Sequence, residues 1–358
     1  MKLKGFFQSW SKSLKKMNKI LITRTDMLGD VILSFPVISA LRKKYPSAQI
    51  WFLAKNYTKD ILEFNPALNG IISIDDSNNK RKNFFTLVKE IGKKRFDTAL
   101  ILYPTFYVAL IIFLAGIQIR IGSGYRWYSF FFNKRVYEHR KYCTKHEVEY
   151  NLGLLKSFDI NEKDVKFDVE IPKKEICEIN LLLKEKGVVE DDILIIIHPG
   201  SRGSAVDWDP NNFPNLIDKI LSKTKSKVVI SGTKSEEIIL YKIMDKCNKK
   251  PIKFERELTL KEFAALLKRG DLFISNSTGP IHLAVALGTE VIGIYPDMIP
   301  LNPERWGPYG REDSVIKPVI PEGIKKNKKN FIKYKLMNLI TPDDIFKLVE
   351  KKISNFNN

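Results

Sequence analysis

Apolar and polar positions along the first half of the chain alternate between short apolar runs and segments whose apolar residues recur at helical spacing. Residues 19–24 read as a short buried strand, with a loop at 25–29. Over 30–45 the apolar positions Val31, Ile32, Phe35, Ile38 and Leu41 predict one helix, with Pro36 inside it as a kink. Strands at 49–54, 71–74 and 98–102 then alternate with helices near 59–65 and at 84–93. The second half repeats the scheme, with strands at 193–198, 227–231, 272–275 and 291–295. Its helices fall at 213–222, 236–247, 260–268 and 279–287. Thr259 is placed to cap the third of these, and a last helix at 342–354 starts on Thr341 followed by Pro342.

Alternation of this kind predicts an α/β protein built of two Rossmann-like, doubly wound parallel-sheet domains. The join lies near 159–175, which sets one domain at 19–170 and the other at 171–340. Such domains bind ligands at the carboxyl ends of their strands, so two of them facing each other enclose a cleft there.

Length agrees with two domains: 358 residues, 44% of them apolar, suffice for two cores. Three widely spaced cysteines, Cys143, Cys177 and Cys247, fit neither a disulfide framework nor a paired-cysteine metal site, which points to a reducing, cytoplasmic setting. The longest apolar run, 108–116, is too short to span a bilayer and predicts a buried helix.

Charge changes the picture. Sixty Lys and Arg against 41 Asp and Glu leave +19. That field suits a polyanion, an acidic membrane surface or a phosphorylated substrate, unless a Lys-enriching genome is its source. Residues 1–18 carry five lysines and no acid, with Phe6, Phe7, Trp10 and Leu14 at roughly helical spacing. They read either as a membrane-surface helix or as a frayed basic tail, and not as a secretory signal, since no apolar core follows the charges. No nucleic-acid-binding module is recognisable, so nucleic acid is not expected as a partner.

Four constellations carry candidate chemistry. Arg24, Asp26, Gly29 and Asp30 follow the first strand and open the first helix, where free amides hold anions and a carboxylate is favoured. Asp30 is placed either to take a proton from an attacking hydroxyl or simply to cap the helix. His198-Pro199-Gly200-Ser201-Arg202 follows a buried strand and offers an amide nest with a counter-charge, or an ordinary turn. Ser277-Thr278-Gly279-Pro280-Ile281-His282 sets small hydroxyl residues at a helix start with His282 one turn in. Gly232 and Glu236 after the next strand suit a ribose diol. Asp207-Trp208-Asp209 has the spacing of a metal-binding D-x-D but sits in the wrong architecture for one, and no Cys/His cluster exists, so no metal is expected.

Taken together and in this order, these segments resemble glycosyltransferase family 9, the ADP-heptose:lipopolysaccharide heptosyltransferases, from about Lys19 to Tyr295. The most specific pieces are Leu28-Gly29-Asp30, His198-Pro199-Gly200 and the run from Ser277 to His282. Arg120-Ile121-Gly122 and His146-Glu147-Val148-Glu149 also match family landmarks. The resemblance implies the GT-B fold, with an acceptor domain followed by a donor domain and a closing segment, 341–358, that packs back on the first. It implies an inverting transfer that needs no metal and no cofactor, only an ADP-sugar co-substrate. Asp30 would be the general base, with Asp26 the fallback. Thr278, Gly279 and His282 would hold the diphosphate, Glu236 the ribose, and His198, Gly200, Ser201, Arg202 and Ser277 would complete the donor site. Arg24, Asp26, Arg120 and Arg126 would bind an anionic glycolipid acceptor, with Arg135, Arg140 and Lys141 facing the cytoplasmic surface of the inner membrane.

Two positions depart from the family pattern. Val206 stands where a Lys that touches phosphate and sugar is common, and Ser277 where Asp is common. Either Arg202 replaces that Lys or the donor is not ADP-heptose. A nucleotide-sugar epimerase and a noncatalytic nucleotide-sugar binder are the competing readings.

Overall fold

A computed structural model describes residues 17–203 and 205–356. The tail expected at 1–18 therefore lies outside the described residues, apart from Met17 and Asn18. The chain forms two compact units. The first takes the residues up to His139 and Glu147–Glu170, and the second takes Arg140–His146 and everything from Ile171 on.

In the first unit six strands form one sheet: β1 (Lys19–Thr23), β2 (Gln49–Ala54), β3 (Gly70–Ser73), β4 (Thr98–Ile101), β5 (Ile119–Ser123) and β6 (Lys134–Val136). All pairs are parallel and the order is β3-β2-β1-β4-β5-β6. Helices cover both faces of such a sheet, so its central strands must be apolar throughout, and Ile20, Leu21, Ile22, Ala99, Leu100 and Ile101 are fully buried. Asp97 fixes the lower end of β1 by accepting the amides of Asn18 and Lys19, each at 2.8 Å. The direction of winding reverses between β1 and β4, which leaves a crevice at their carboxyl ends.

The helix expected at 30–45 is two helices, Leu28–Ile32 and Phe35–Lys44. Pro36 opens the second rather than kinking the first, because its missing N–H costs nothing in a first turn. The Ser34 hydroxyl donates to the Val31 carbonyl at the break. β5, β6 and the helices Glu147–Gly153 and Lys173–Glu185 were not expected. The apolar run near 108–116 is helical over Phe106–Leu114, yet only one side of it is buried: Phe106, Phe113 and Leu114 are exposed. Among the described residues no helix is long and apolar enough to cross a membrane.

The second unit holds a five-stranded sheet of β7 (Leu194–His198), β8 (Lys227–Ile230), β9 (Leu272–Asn276), β10 (Glu290–Ile294) and β11 (Val315–Ile316). It is again parallel, in the order β11-β10-β9-β7-β8, and reverses between β7 and β9. The closing helix, Pro342–Ser354, starts in a capping box of Thr341 and Asp344. Expected to pack back on the first domain, it is built into the second unit. Ile345, Phe346, Val349 and Ile353 join Ile217, Ile220, Ile292 and Ile294 in the second unit's own core. Lys352 fixes its end, bonding Glu290 and Asp313 at 3.1 Å and Ser314 at 2.9 Å. An apolar stripe of that width is satisfied where it lies.

Candidate active site

Arg24 is the first residue past β1, and its amide still follows the sheet register, donating to Leu53 at 3.0 Å. Its side chain is 2% exposed. The guanidinium fork reaches four groups: Nε donates to both oxygens of Asp26 at 2.9 and 3.0 Å, and Nη1 donates to Glu147 at 3.1 Å and Asn151 at 2.9 Å. Nη2 donates to Oδ1 of Asp30. Burial works against the guanidinium charge, but Asp26, Asp30 and Glu147 outweigh it and hold its pKa above the ordinary value. Burial also pushes Asp26 up to about 6, with Arg24 opposing and Asp30 adding to the rise. Asp30 lies in the first turn of the Leu28–Ile32 helix, but its carboxylate accepts from Arg24, and no amide of that helix donates to it among the described residues.

The four expected acceptor residues fall in different surroundings. Arg24 and Asp26 flank Asp30, and Arg126 is exposed in the loop after β5. Arg120 spends its guanidinium on the backbone, donating to the carbonyls of Phe131 at 2.7 Å and Gln118 at 3.2 Å. Glu147 and Asn151 were missed as members of this cluster. Glu147 stood in a recognised landmark, and Asn151 lies four residues on, on the same helix face.

In the second unit the loops after β7, β8 and β9 meet at the reversal point. Asn276, at the end of β9, ties its strand end to the loop after β7: its Nδ2 donates to the Pro199 carbonyl at 2.6 Å and its Oδ1 accepts the Trp208 amide at 2.9 Å. His198 is buried, with Nδ1 3.1 Å from the Ser231 hydroxyl. Burial lowers its pKa, against the pull of Glu236, so the 3.9 Å approach of Nε2 to Glu236 is not an ion pair at neutral pH. Glu236 is 4% exposed. Its Oε2 closes a capping box, accepting the Thr233 amide at 2.8 Å and hydroxyl at 2.7 Å, while its buried Oε1 has no partner. A Cβ on Gly200 would lie 2.0 Å from that Oε1, so Gly200 makes room for Glu236.

Thr278 precedes the Gly279–Leu287 helix in the N-cap position with an extended backbone, yet its hydroxyl caps nothing and is buried without a partner. One turn on, His282 is buried with an unpartnered Nδ1. Burial lowers its pKa to about 3, with a contribution from His146, whose own Nε2 lies 2.9 Å from the Gly307 carbonyl. Ser277 donates its amide to the Ile294 carbonyl at 3.0 Å, beside the buried Tyr295. Arg202 sits exposed on a left-handed turn with φ 52°, next to Gly203. Val206, in the position of the missing Lys, packs against the apolar core.

The D-x-D segment is structural. Trp208 is fully buried and donates through Nε1 to Ile340 at 2.8 Å, and Asp209 caps the turn at Pro210–Asn212. Burial raises Asp207 to about 6, against a hydrogen bond from Ser201. Among the described residues no group of three or more His, Cys, Asp or Glu is placed to hold a metal ion.

Residues 84–335 match the sequence profile of Glycosyltransferase family 9 (heptosyltransferase). A putative glycosyltransferase of Haemophilus influenzae is 27% identical over 92% of this chain and 97% of its own. Lipopolysaccharide heptosyltransferase 3 of Escherichia coli K12 is 27% identical over 75% of this chain and 79% of its own. Among solved structures, the ADP-heptose lps heptosyltransferase II of E. coli superposes with a TM-score of 0.77 at 18% identity, covering 96% of this chain and 100% of that one.

Proposed function

This chain belongs to glycosyltransferase family 9, and on that premise we propose that it moves heptose from ADP-heptose onto a lipopolysaccharide or lipooligosaccharide core, with inversion and without a metal. The acceptor hydroxyl gives its proton to Asp30 as its oxygen bonds the anomeric carbon. The bond from that carbon to the diphosphate breaks on the opposite face, and ADP leaves with the electron pair. Binding of the leaving diphosphate stabilises the charge it gains.

One observation carries this reading: among the buried polar atoms that lack partners, Glu236 Oε1, Thr278 Oγ1 and His282 Nδ1 belong to residues that the family resemblance gives to the donor. Unpaired buried polar groups cost stability and mark positions where a ligand supplies the partner. Thr278 Oγ1 and His282 Nδ1, at a helix start, suit diphosphate oxygens, and Glu236 Oε1 suits ribose hydroxyls. That the only D-x-D is consumed by core packing and capping supports metal independence. The net charge of +19 supports an anionic acceptor at the cytoplasmic face of the inner membrane, where the protein would work as a peripheral enzyme.

A thermal-shift panel of nucleotide sugars tests the donor. ADP-heptose at 100 times its Kd adds about 2.7 kcal/mol of stability. A larger shift with a different nucleotide sugar overturns the donor assignment, and release of free nucleotide with no acceptor present overturns transfer in favour of epimerisation. Activity lost in EDTA and restored by magnesium or manganese overturns metal independence.

A further inference from the structure

Between Thr98 and Tyr137 the sequence contains no Asp or Glu, while it holds Arg120, Arg126, Lys134 and Arg135. From Tyr103 to Tyr137 it also holds eleven aromatic residues. The fold spends only some of these on the core. Tyr128 and Phe132 are buried, but Trp127 is 74% exposed and Phe130 59%. Phe106, Phe113 and Leu114 are exposed beside them, on the outer side of the Phe106–Leu114 helix. The exposed rings form one surface. Trp127 stacks on Phe106 at 5.2 Å, Phe130 lies 4.4 Å from Phe131, and Phe131 lies 5.2 Å from Phe113. The Arg120 guanidinium lies over Phe113 at 5.3 Å, and Arg126 is exposed next to Trp127.

Contiguous exposed apolar surface is costly in water and marks an interaction site. Its composition selects the partner. Aromatic rings with basic residues among them and no acid match the headgroup region of an anionic bilayer, where amphipathic rings sit at the boundary and cations meet phosphate. Position agrees with that choice. Because every strand of this sheet is parallel, the loops after β1, β4 and β5 leave from the same edge. Asp30 follows β1, Phe106 follows β4, and Trp127 and Phe130 follow β5. Tyr103, between β4 and Phe106, has its ring 5.9 Å from the Arg24 guanidinium that bonds Asp30. The Tyr128 hydroxyl holds the aromatic loop to this edge by donating to the Pro104 carbonyl at 2.7 Å.

We propose that Phe106, Trp127 and Phe130, with Arg126, form a docking surface that seats the first unit on an anionic lipid bilayer, at the same sheet edge as Asp30, with Phe113 continuing the apolar surface along the outer side of its helix. The membrane role of the edge rests on the reading of a lipid-anchored acceptor; the docking itself does not. Seated this way, the protein takes the sugar end of an embedded lipid from the bilayer surface without extracting its acyl chains.

The test uses the full-length chain with its basic tail intact. Vesicles of phosphatidylglycerol and phosphatidylethanolamine co-sediment the wild type, and neutral phosphatidylcholine vesicles do so far less. Trp127→Ser combined with Phe130→Ser lowers the partition by roughly a hundredfold, since each ring withdrawn from water is worth about tenfold. Arg126→Glu lowers it further and weakens its response to salt. Both variants keep wild-type thermal midpoints, and the double variant keeps wild-type turnover on a deacylated, water-soluble acceptor while its turnover on vesicle-embedded acceptor falls. Unchanged partition of the double variant, or a wild type that ignores anionic vesicles, overturns the docking surface. So does a double variant that converts a wild-type dimer to monomer in sedimentation, because the face then seats a second copy. Loss of turnover on the soluble acceptor in the wild type would instead overturn the transferase reading.

Discussion

Nη2 of the buried Arg24 donates to Oδ1 of Asp30, so the carboxylate proposed as the base is aimed by a side chain from the strand end before it. The same guanidinium is held from behind by Glu147 and Asn151. Arg24→Lys keeps the charge but cannot reach four partners with one ammonium. The expected result is a turnover loss of roughly tenfold to a hundredfold with donor affinity unchanged. Glu147→Gln, which still accepts one hydrogen bond from Nη1, is expected to lose less. Steady-state kinetics at saturating donor check both. Wild-type turnover in Arg24→Lys would show that Asp30 needs no aiming.

Asp30→Asn isolates proton transfer from shape. The amide oxygen still accepts from Arg24, but the group no longer takes a proton. General base catalysis contributes about 10²–10⁴-fold, and turnover should fall by that factor while the thermal midpoint stays near wild type. The helix-capping alternative expects normal turnover in Asn and about 1 kcal/mol of lost stability in Asp30→Ala. One pair of variants, measured for rate and midpoint, separates the two. Near-normal turnover in Asn rules Asp30 out as the base.

Asp26 gives the site a pH response. Its pKa is raised to about 6, chiefly by burial, so it ionises as pH climbs through that value. Asp26 and Asp30 share the Arg24 guanidinium, so ionisation of Asp26 changes the charge next to the proposed base. Turnover should rise with pH through about 6, and Asp26→Asn should lose that step. Stability moves the other way. A carboxyl with a raised folded-state pKa contributes fully below its unfolded value and loses that contribution as pH rises toward 6. Wild type should therefore lose midpoint relative to Asp26→Asn between pH 4 and 6. Parallel pH profiles of rate and of midpoint would expose an unperturbed Asp26.

What could be read from the sequence depended on range. Both parallel sheets were legible because strands buried on two faces carry near-continuous apolar runs, as β4 and β7 do apart from Thr98 and His198 at their ends. The closing helix was legible to the residue because Thr341 and Pro342 are local signals. Its packing partner was not, since an apolar stripe does not say which core it meets. β6 escaped because a three-residue edge strand reading Lys-Arg-Val carries no apolar period. In the site, residues next to strand ends were found by position. The Arg24–Glu147 contact joins residues 123 positions apart, and no local pattern encodes it.

His282 is neutral in the folded protein down to about pH 3. A histidine with a depressed folded-state pKa contributes full stability above its unfolded value of about 6.5 and loses it as pH falls toward 3. His282→Asn should flatten that acid limb of the midpoint curve. It should also weaken donor binding by roughly tenfold to a hundredfold, the worth of one hydrogen bond to a charged group. Calorimetric titration with ADP checks the second effect at neutral pH. An unchanged affinity would remove His282 from the diphosphate site, whatever the acid limb does.

Gly200 and Glu236 form a testable pair. A Cβ at Gly200 would stand 2.0 Å from Oε1 and 2.4 Å from Cδ of Glu236. Glu236 cannot simply retreat, because Oε2 is held by the amide and hydroxyl of Thr233. Gly200→Ala should therefore displace the one carboxylate oxygen left open for a ligand. The expected cost is a tenfold or greater loss of donor affinity and on the order of 1–3 kcal/mol of stability, typical of overpacking. If clearance for Glu236 is what Gly200 provides, the damage needs Glu236 to be present. In a Glu236→Ala background, already weakened for the donor, adding Gly200→Ala should change affinity and midpoint little. Residues in direct contact couple in this way, whereas independent sites add. A nest of amides that grips phosphate at Gly200 expects additivity instead, since the clash would not be the cause. Additive losses across the four proteins, measured for ADP affinity and thermal midpoint, would return Gly200 to the phosphate-binding role and leave Glu236 as a separate contact.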